Sequence, residues 1–362
     1  MASGVSDRVR SEAGDVTGGR AAYSGADFAD FAECVLRGIG LVVLQSNPLS
    51  GAFILAALFL NSFPYGLACA AGTIVSTLAA IALSADKDMV RDGLYGFNGA
   101  LTGIALVAFT SRDFLAGSMP GMPLWLFIAL AAAASTILVR AFAELLGHER
   151  LPGLTFPFCA ATWFFLGALQ QFTAIDVSPA LHPALAVHAA ASPAYGWETW
   201  AYGTINGVAE IFLQDGWIAG LLILLAIAIN SQIAAVMAVL GSLLGVAVGI
   251  VFGAPETALR AGMYGYNAAL TGIALGGFFV LLTWPGFLYA VFGILLTACG
   301  WAAIGTVFKP LGMPVLAFPF VIVTWLMLLA AKGFPVLTAI PPADAGTAED
   351  NLARYRGRRT PV

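Results

Sequence analysis

Two nearly identical runs carry most of the side chains that could do chemistry in this chain. Residues 93–106 read GLYGFNGALTGIAL and residues 262–275 read GMYGYNAALTGIAL, identical at eleven of fourteen positions with an offset of 169. Each run sets one aromatic ring, Phe97 or Tyr266, among small residues: Gly96, Gly99, Ala100 and Gly103 in the first, Gly265, Ala268, Ala269 and Gly272 in the second. Small residues let helix backbones approach closely, which explains the glycines on packing grounds alone. The rings are a different matter. A symmetric pair would put one flat face near each end of a central path, which is chemistry of contact rather than of bond making.

Bond-making chemistry finds little support. The three histidines, His148, His182 and His188, fall between the apolar runs, so no pair of them sits inside a membrane to conduct ammonium or ligate a metal. Nucleophile elbows, phosphate loops and metal-binding helix motifs do not occur. Cys34, Cys69, Cys159 and Cys299 are scattered through apolar segments and read as small hydrophobes rather than as a disulfide framework. Asn-Pro occurs once, at Asn47-Pro48, and Leu49 follows it, so the twin Asn-Pro-Ala signature of water channels is missing. Neither an enzyme nor a cofactor is expected.

Composition says where such rings must work. Of 362 residues, 60% are apolar and 10% charged, against about 25% charged in an ordinary soluble domain. Apolar runs of about 17–25 residues recur, long enough to cross the hydrocarbon core as helices. Helices are required because a backbone in lipid must satisfy its own hydrogen bonds. The expected fold class is therefore an all-α polytopic membrane protein. Residues 1–30 are polar and lack the apolar core of a signal peptide, so they read as a disordered tail. Residues 332–362 read as a second solvated tail, closing with Arg354, Arg356, Arg358 and Arg359.

The chain contains itself twice. The offset of 169 also aligns Arg91 with Arg260, Gly38 with Gly207, Gln45 with Gln214 and Gly51 with Gly220. LPGLTFPFCAATW at 151–163 pairs with MPVLAFPFVIVTW at 313–325 at an offset of 162, so one loop is seven residues shorter in the second half. The units run over 31–171 and 205–331, joined by a linker at 172–204. Five spans are expected in each: near 31–60, 64–84, 94–110, 121–145 and 155–171, then near 205–229, 232–252, 263–283, 285–306 and 315–331. The first is long for one span, and Asn47-Pro48 should break it, with Pro48 restarting a helix. An odd number of crossings makes the second unit enter from the opposite side, giving two inverted repeats around a pseudo-twofold axis in the membrane plane. Charge agrees. Of sixteen Lys and Arg residues, all but Arg112, Arg260 and Lys309 fall on the side that holds both tails, and the linker has none. The positive-inside rule then puts both termini in the cytoplasm and the linker outside.

Few polar side chains lie within the spans. Glu210 is either solvated near the interface or lines a path, since a carboxylate inside a span is costly. Gln45 and Gln214 form a symmetric pair suited to helix–helix hydrogen bonds. Trp163 and Trp325 are another, suited to interfacial anchoring or packing. Thr162 and Thr324 are expected to bond back to their own helices. Arg140 and Glu144 can neutralise each other across one turn.

Taken together, these motifs resemble the urea transporter family. Its repeats look like GLYGYNxxLxG followed by LPxxTxPF, and each unit opens with RGxGQVxFxxNPxSG. Here Arg37-Gly38-Ile39-Gly40 and Asn47-Pro48-Leu49-Ser50-Gly51 stand for the opening, and both later motifs occur in both halves. The resemblance spans about 31–331. It implies ten spans plus two tilted half-length helices around a central pore, a homotrimer with one pore per subunit, and a slot-like filter. In such a slot, flat faces would sandwich planar urea while oxygens along its edge accept the N–H bonds.

Carried across, the slot aromatics fall on Phe97 and Tyr266, with Leu101 and Leu270 one turn on. The urea-binding glutamine falls on Leu41 in the first half and Glu210 in the second. The neighbouring slot phenylalanine falls on Leu44 and Leu213. The mid-pore threonine is Thr155, but its mate is Ala317. The amide and its neighbouring ring are thus replaced in both halves, and the hydroxyl in the second. The reading that follows is facilitated diffusion of urea through a membrane pore. Its alternatives are a pore of the same fold for a short amide or ammonia, and a proton-coupled transporter that uses Glu210.

Overall fold

The computed structural model describes residues 28–185 and 194–359. Residues 1–27 of the expected tail, and His188 within the linker, lie outside them.

The first half contains α1 (Phe28–Leu41), α2 (Pro48–Asn61), α3 (Phe63–Ala82), the short α4 (Lys87–Arg91), α5 (Gly96–Thr110), α6 (Met122–Gly147) and α7 (Phe156–Leu169). The second repeats that order as α8 (Trp197–Ala209), α9 (Trp217–Asn230), α10 (Gln232–Val251), α11 (Glu256–Arg260), α12 (Tyr266–Ile273), α13 (Trp284–Phe308) and α14 (Phe318–Ala331). A last helix, α15 (Ala348–Arg359), follows.

The break at Asn47-Pro48 is built as expected. Pro48 opens α2, and the Asn47 side-chain oxygen accepts from the amides of Leu49 and Ser50 at 2.9 and 3.2 Å. This satisfies donors that a helix start leaves unpaired. A matching break separates α8 from α9, which are bent by 72°. There the turn rests on Leu213 (φ 53°) and Gly216 (φ 153°) instead of Asn-Pro. The spans expected near 31–60 and 205–229 are therefore each two helices.

The described helices fall into two classes by length. Four described helices are long and apolar enough to cross a membrane alone: α3, α6, α10 and α13 extended to Leu311. The apolar helices α2, α7, α9 and α14 have 14 residues each and α5 has 15. Each of these covers about 21–23 Å, short of the roughly 30 Å hydrocarbon core. The span expected at 263–283 ends early: after Ile273 the chain makes one π-helical turn over Ala274–Phe278, and Gly277 takes φ 123°.

Close packing accounts for the glycines of the repeated run. A Cβ on Gly99 would lie 2.5 Å from the Gly72 carbonyl oxygen, and one on Gly103 2.4 Å from that of Ala68. The helices α3 and α5 therefore touch backbone to backbone, and any larger residue at these points must force them apart.

Contacts between the halves are reciprocal. The Trp163 indole donates to the Pro314 carbonyl at 2.9 Å, and the Trp325 indole donates to that of Pro152 at 2.8 Å. Likewise Asn230 donates to the Gln45 side-chain oxygen at 2.7 Å, and Asn61 to that of Gln214 at 2.9 Å. When residue i meets j' and i' meets j, the parts are related by a two-fold operation. The halves thus face each other across a pseudo-twofold axis. Gln45 and Gln214 bridge helices, as expected, and the two indoles pack and bond at the junction.

The carboxyl-terminal segment departs from expectation. It is docked at a few points, while most of its side chains stay exposed. Leu281 donates its amide to the Thr338 carbonyl and Ile340 to that of Phe279, at 2.9 and 2.8 Å. Glu349 accepts from the Ser231 hydroxyl and the Ile233 amide at the start of α10, at 2.6 and 2.9 Å. Asn351 is buried and donates to the carbonyls of Gly277 and Phe278 at 2.7 and 3.1 Å. Polar sequence here marks a segment that bonds to helix ends, which a composition reading takes for solvation.

Candidate functional site

A cavity of about 190 Å³ lies where α8, α12 and the loop before α14 meet α5 and α7. Six of the residues singled out from sequence line it: Glu210, Leu213, Tyr266, Leu270, Leu101 and Ala317. Leu101 comes from the first half and the other five from the second, so the cavity spans the repeat junction. Phe97, Leu41, Leu44 and Thr155 do not line it. These four are the repeat mates of Tyr266, Glu210, Leu213 and Ala317.

Each wall has a local cause. The α8 helix stops at Ala209, and Glu210 opens one 3-10 turn that Leu213 closes in the left-handed region at φ 53°. The carbonyls of Ala209 and Glu210 at this end accept from the amides of Gln214 and Leu213, at 3.3 and 3.0 Å. Glu210 is half-buried and lines the cavity. Leu44 repeats the left-handed turn at φ 60°.

A second symmetric pair of strained leucines was not legible. Leu154 (φ 48°) and Leu316 (φ 54°) immediately precede Thr155 and Ala317. Strain of this kind persists only where surrounding contacts over-determine it. Asparagines supply them. Asn267 donates to the Leu316 carbonyl at 3.1 Å and accepts from the Phe320 amide at 3.0 Å. Asn98 does the same with Leu154 and Phe158, at 3.5 and 2.9 Å. Each asparagine thereby caps a short helix that begins in the protein interior. The signal was present, since Asn follows the ring in both repeats, but it passed as part of the glycine-rich run.

Tyr266 adds what Phe97 cannot. Its hydroxyl donates to the Leu316 carbonyl at 2.7 Å, which pins the ring against the cavity. Trp301, Met263, Phe109 and Phe158 are further parts of the apolar lining and were also missed. Trp301 lacks an aromatic mate in the first half at either repeat offset, so no duplicated pattern marked it.

Thr155 is 2% exposed and its hydroxyl has no hydrogen-bond partner. A buried hydroxyl left unpaired costs free energy unless something visits it. Thr162 and Thr324 are likewise unpartnered, which corrects the expectation that they bond back to their helices.

The arrangement is a narrow apolar chamber with flat ring faces, one carboxylate and helix-end carbonyls, placed between pseudo-symmetric halves of a membrane-embedded helical bundle. That defines a transport protein for a small polar solute. The family model for urea transporters matches residues 32–332. Urea transporter 1 of Ovis aries is 32% identical over 327 residues, covering 90% of this chain and 83% of its own. Urea transporter 1 of Rattus norvegicus is 32% identical over 333 residues, and that of Mus musculus 31%, with the same coverage. The chain belongs to the urea transporter family.

Proposed function

We propose that this protein conducts urea passively through a slot whose second-half end is the 190 Å³ cavity. The observation that carries the reading is Glu210 set opposite flat apolar walls. Urea is planar and neutral, with four N–H donors and one carbonyl. Leu101, Leu270 and the Tyr266 ring offer faces to sandwich it, while Glu210 and helix-end carbonyls accept its N–H bonds in turn. Weak, successive acceptors let a solute shed water without being trapped.

Thr155, opposite Ala317, serves as a single mid-pore hydroxyl, and its lack of a partner suits that role. Phe97, Leu41 and Leu44 form the first-half slot, which lacks the carboxylate. In this reading the protein sits in the cell membrane in contact with lipid, with both termini cytoplasmic and the repeats inverted. It assembles as a homotrimer with one pore in each subunit.

The test is stopped-flow urea flux in proteoliposomes, with and without a proton gradient or membrane potential. Flux should saturate weakly or not at all and should ignore both gradients. Uphill accumulation, or loss of uptake when the proton gradient collapses, would replace the passive pore with a coupled carrier using Glu210.

A further inference from the structure

The segment after the last helix of each repeat closes back on the end of the helix that carries the repeated run, α5 in the first half and α12 with its π-turn in the second. After α7, Ser178 donates its amide to the Phe109 carbonyl at 3.0 Å. After α14, Ile340 donates to the Phe279 carbonyl at 2.8 Å. Ser178 and Ile340 are mates at the offset of 162 that relates the two ends. Phe109 lines the second-half cavity. Its mate at the offset of 169 is Phe278, and the extra residue of the π-turn brings Phe279 into play as well. Phe278 and Phe279 stack edge to face with ring centroids 4.7 Å apart.

Beyond this shared contact the halves differ. In the first, Val107 and Ala108 continue α5 as a regular helix. In the second, Gly276 and Gly277 replace them, the helix bulges, and α15 fills the space. A Cβ on Gly277 would lie 2.5 Å from the Ala348 Cβ, so only glycine admits this approach. Asn351, 4% exposed, then spends its amide on the carbonyls of Gly277, Phe278 and Gly346.

We propose that residues 334–359 are a clasp for the first-half slot, in which Asn351 is a positioning residue that holds the Phe278–Phe279 pair as that slot's wall. The inference rests on the urea-pore reading. The clasp sets the width of the slot, and so its discrimination among ureas, rather than whether it conducts.

The experiment compares Asn351→Ala, and a chain ending at Gly346, with the wild type in proteoliposomes. Urea and 1,3-dimethylurea permeabilities are read together with the rate of tryptic cleavage within α15 and the elution volume in detergent. Asn351→Ala should speed cleavage, leave elution and urea permeability close to wild type, and lower the urea-to-dimethylurea ratio at least threefold. The shortened chain should lower the ratio equally. Faster cleavage with an unchanged ratio would make the docking merely structural and overturn the proposal. Unchanged cleavage with an unchanged ratio would remove Asn351 as the clasp. If the shortened chain aggregates, Asn351→Ala decides alone. Wild-type vesicles no more permeable to urea than empty ones would instead strike the pore reading, and the clasp proposal with it.

Discussion

The Tyr266 hydroxyl donates to the Leu316 carbonyl at 2.7 Å, and this bond has no counterpart in the first half, where Phe97 carries no hydroxyl. The Leu316 carbonyl is therefore filled by two donors, Tyr266 and Asn267. The Leu154 carbonyl has only the 3.5 Å contact from Asn98. Of these two symmetric carbonyls, one accepts from two side chains and the other from one.

Tyr266→Phe should therefore give the second-half ring the chemistry of its first-half mate, Phe97. Losing one buried hydrogen bond should cost about 0.5–1.5 kcal/mol of stability. Urea flux should stay at or above wild type, because the Leu316 carbonyl becomes available. The check pairs a thermal melt with stopped-flow flux. A tenfold loss of flux would show that the phenol itself contacts urea.

The interior threonines separate path from packing. Thr155 follows the strained Leu154 at the start of α7, whereas Thr162 lies two turns along that helix and is fully buried. Neither hydroxyl has a partner. Replacing an unpaired buried hydroxyl by a methyl of the same shape is neutral or stabilising. Thr162→Val and Thr324→Val should thus hold or raise the melting temperature and leave flux unchanged. Thr155→Val should lower urea flux several-fold. An equal loss at Thr162 would move the path away from Thr155.

What could be read in the sequence was whatever duplication or composition made visible. The repeats showed in GLYGFN and GMYGYN, the break in Asn47-Pro48, and the cavity's core in Glu210, Tyr266 and Ala317 through alignment with a familiar pattern. Backbone strain was invisible, because nothing about leucine signals the left-handed region that Leu44, Leu213, Leu154 and Leu316 occupy. Trp301 was hidden because it breaks the symmetry. The docked α15 was hidden for the opposite reason: Glu349 and Asn351 look solvated until helix ends are brought to them by the fold.

Acid should loosen that docking. Burial raises the Glu349 carboxyl, but the bonds it accepts from Ile233 and Ser231 outweigh this and hold it below the ordinary carboxylate range. A group with a depressed native pKa adds stability above its unfolded value and loses it as pH falls through the native one. The contact should hold at neutral pH and weaken only below the usual carboxylate range. The Asp350 and Arg354 side chains share the helix, Arg354 being tied to the Asp344 carbonyl. Hydrogen-exchange protection of the Ile233 amide, measured from pH 7 downward, should fall in that acidic window. Glu349→Gln should flatten the dependence, and a wild-type profile in that variant would assign it to another group.

Glu210 and Leu41 are pseudo-symmetry mates with opposite chemistry, and they give the sharpest test of the slot. Glu210 lines the cavity, while Leu41 is 8% exposed and offers only an apolar wall. A carboxyl oxygen accepts N–H bonds from urea, which the leucine side chain cannot do. Urea should therefore be held better between Tyr266 and Leu213 than beside Phe97. Glu210→Gln should keep conduction, since the amide oxygen still accepts. Glu210→Leu removes the acceptor, and an unmet hydrogen bond costs about 1–3 kcal/mol. Flux should then fall by about 5–150-fold, the factor that energy represents. Leu41→Gln should add a second binding position and leave flux intact or raised. All three are read as urea flux at matched membrane expression. Wild-type flux from Glu210→Leu would place this carboxylate off the path, and the slot would have to be rebuilt around the helix-end carbonyls alone.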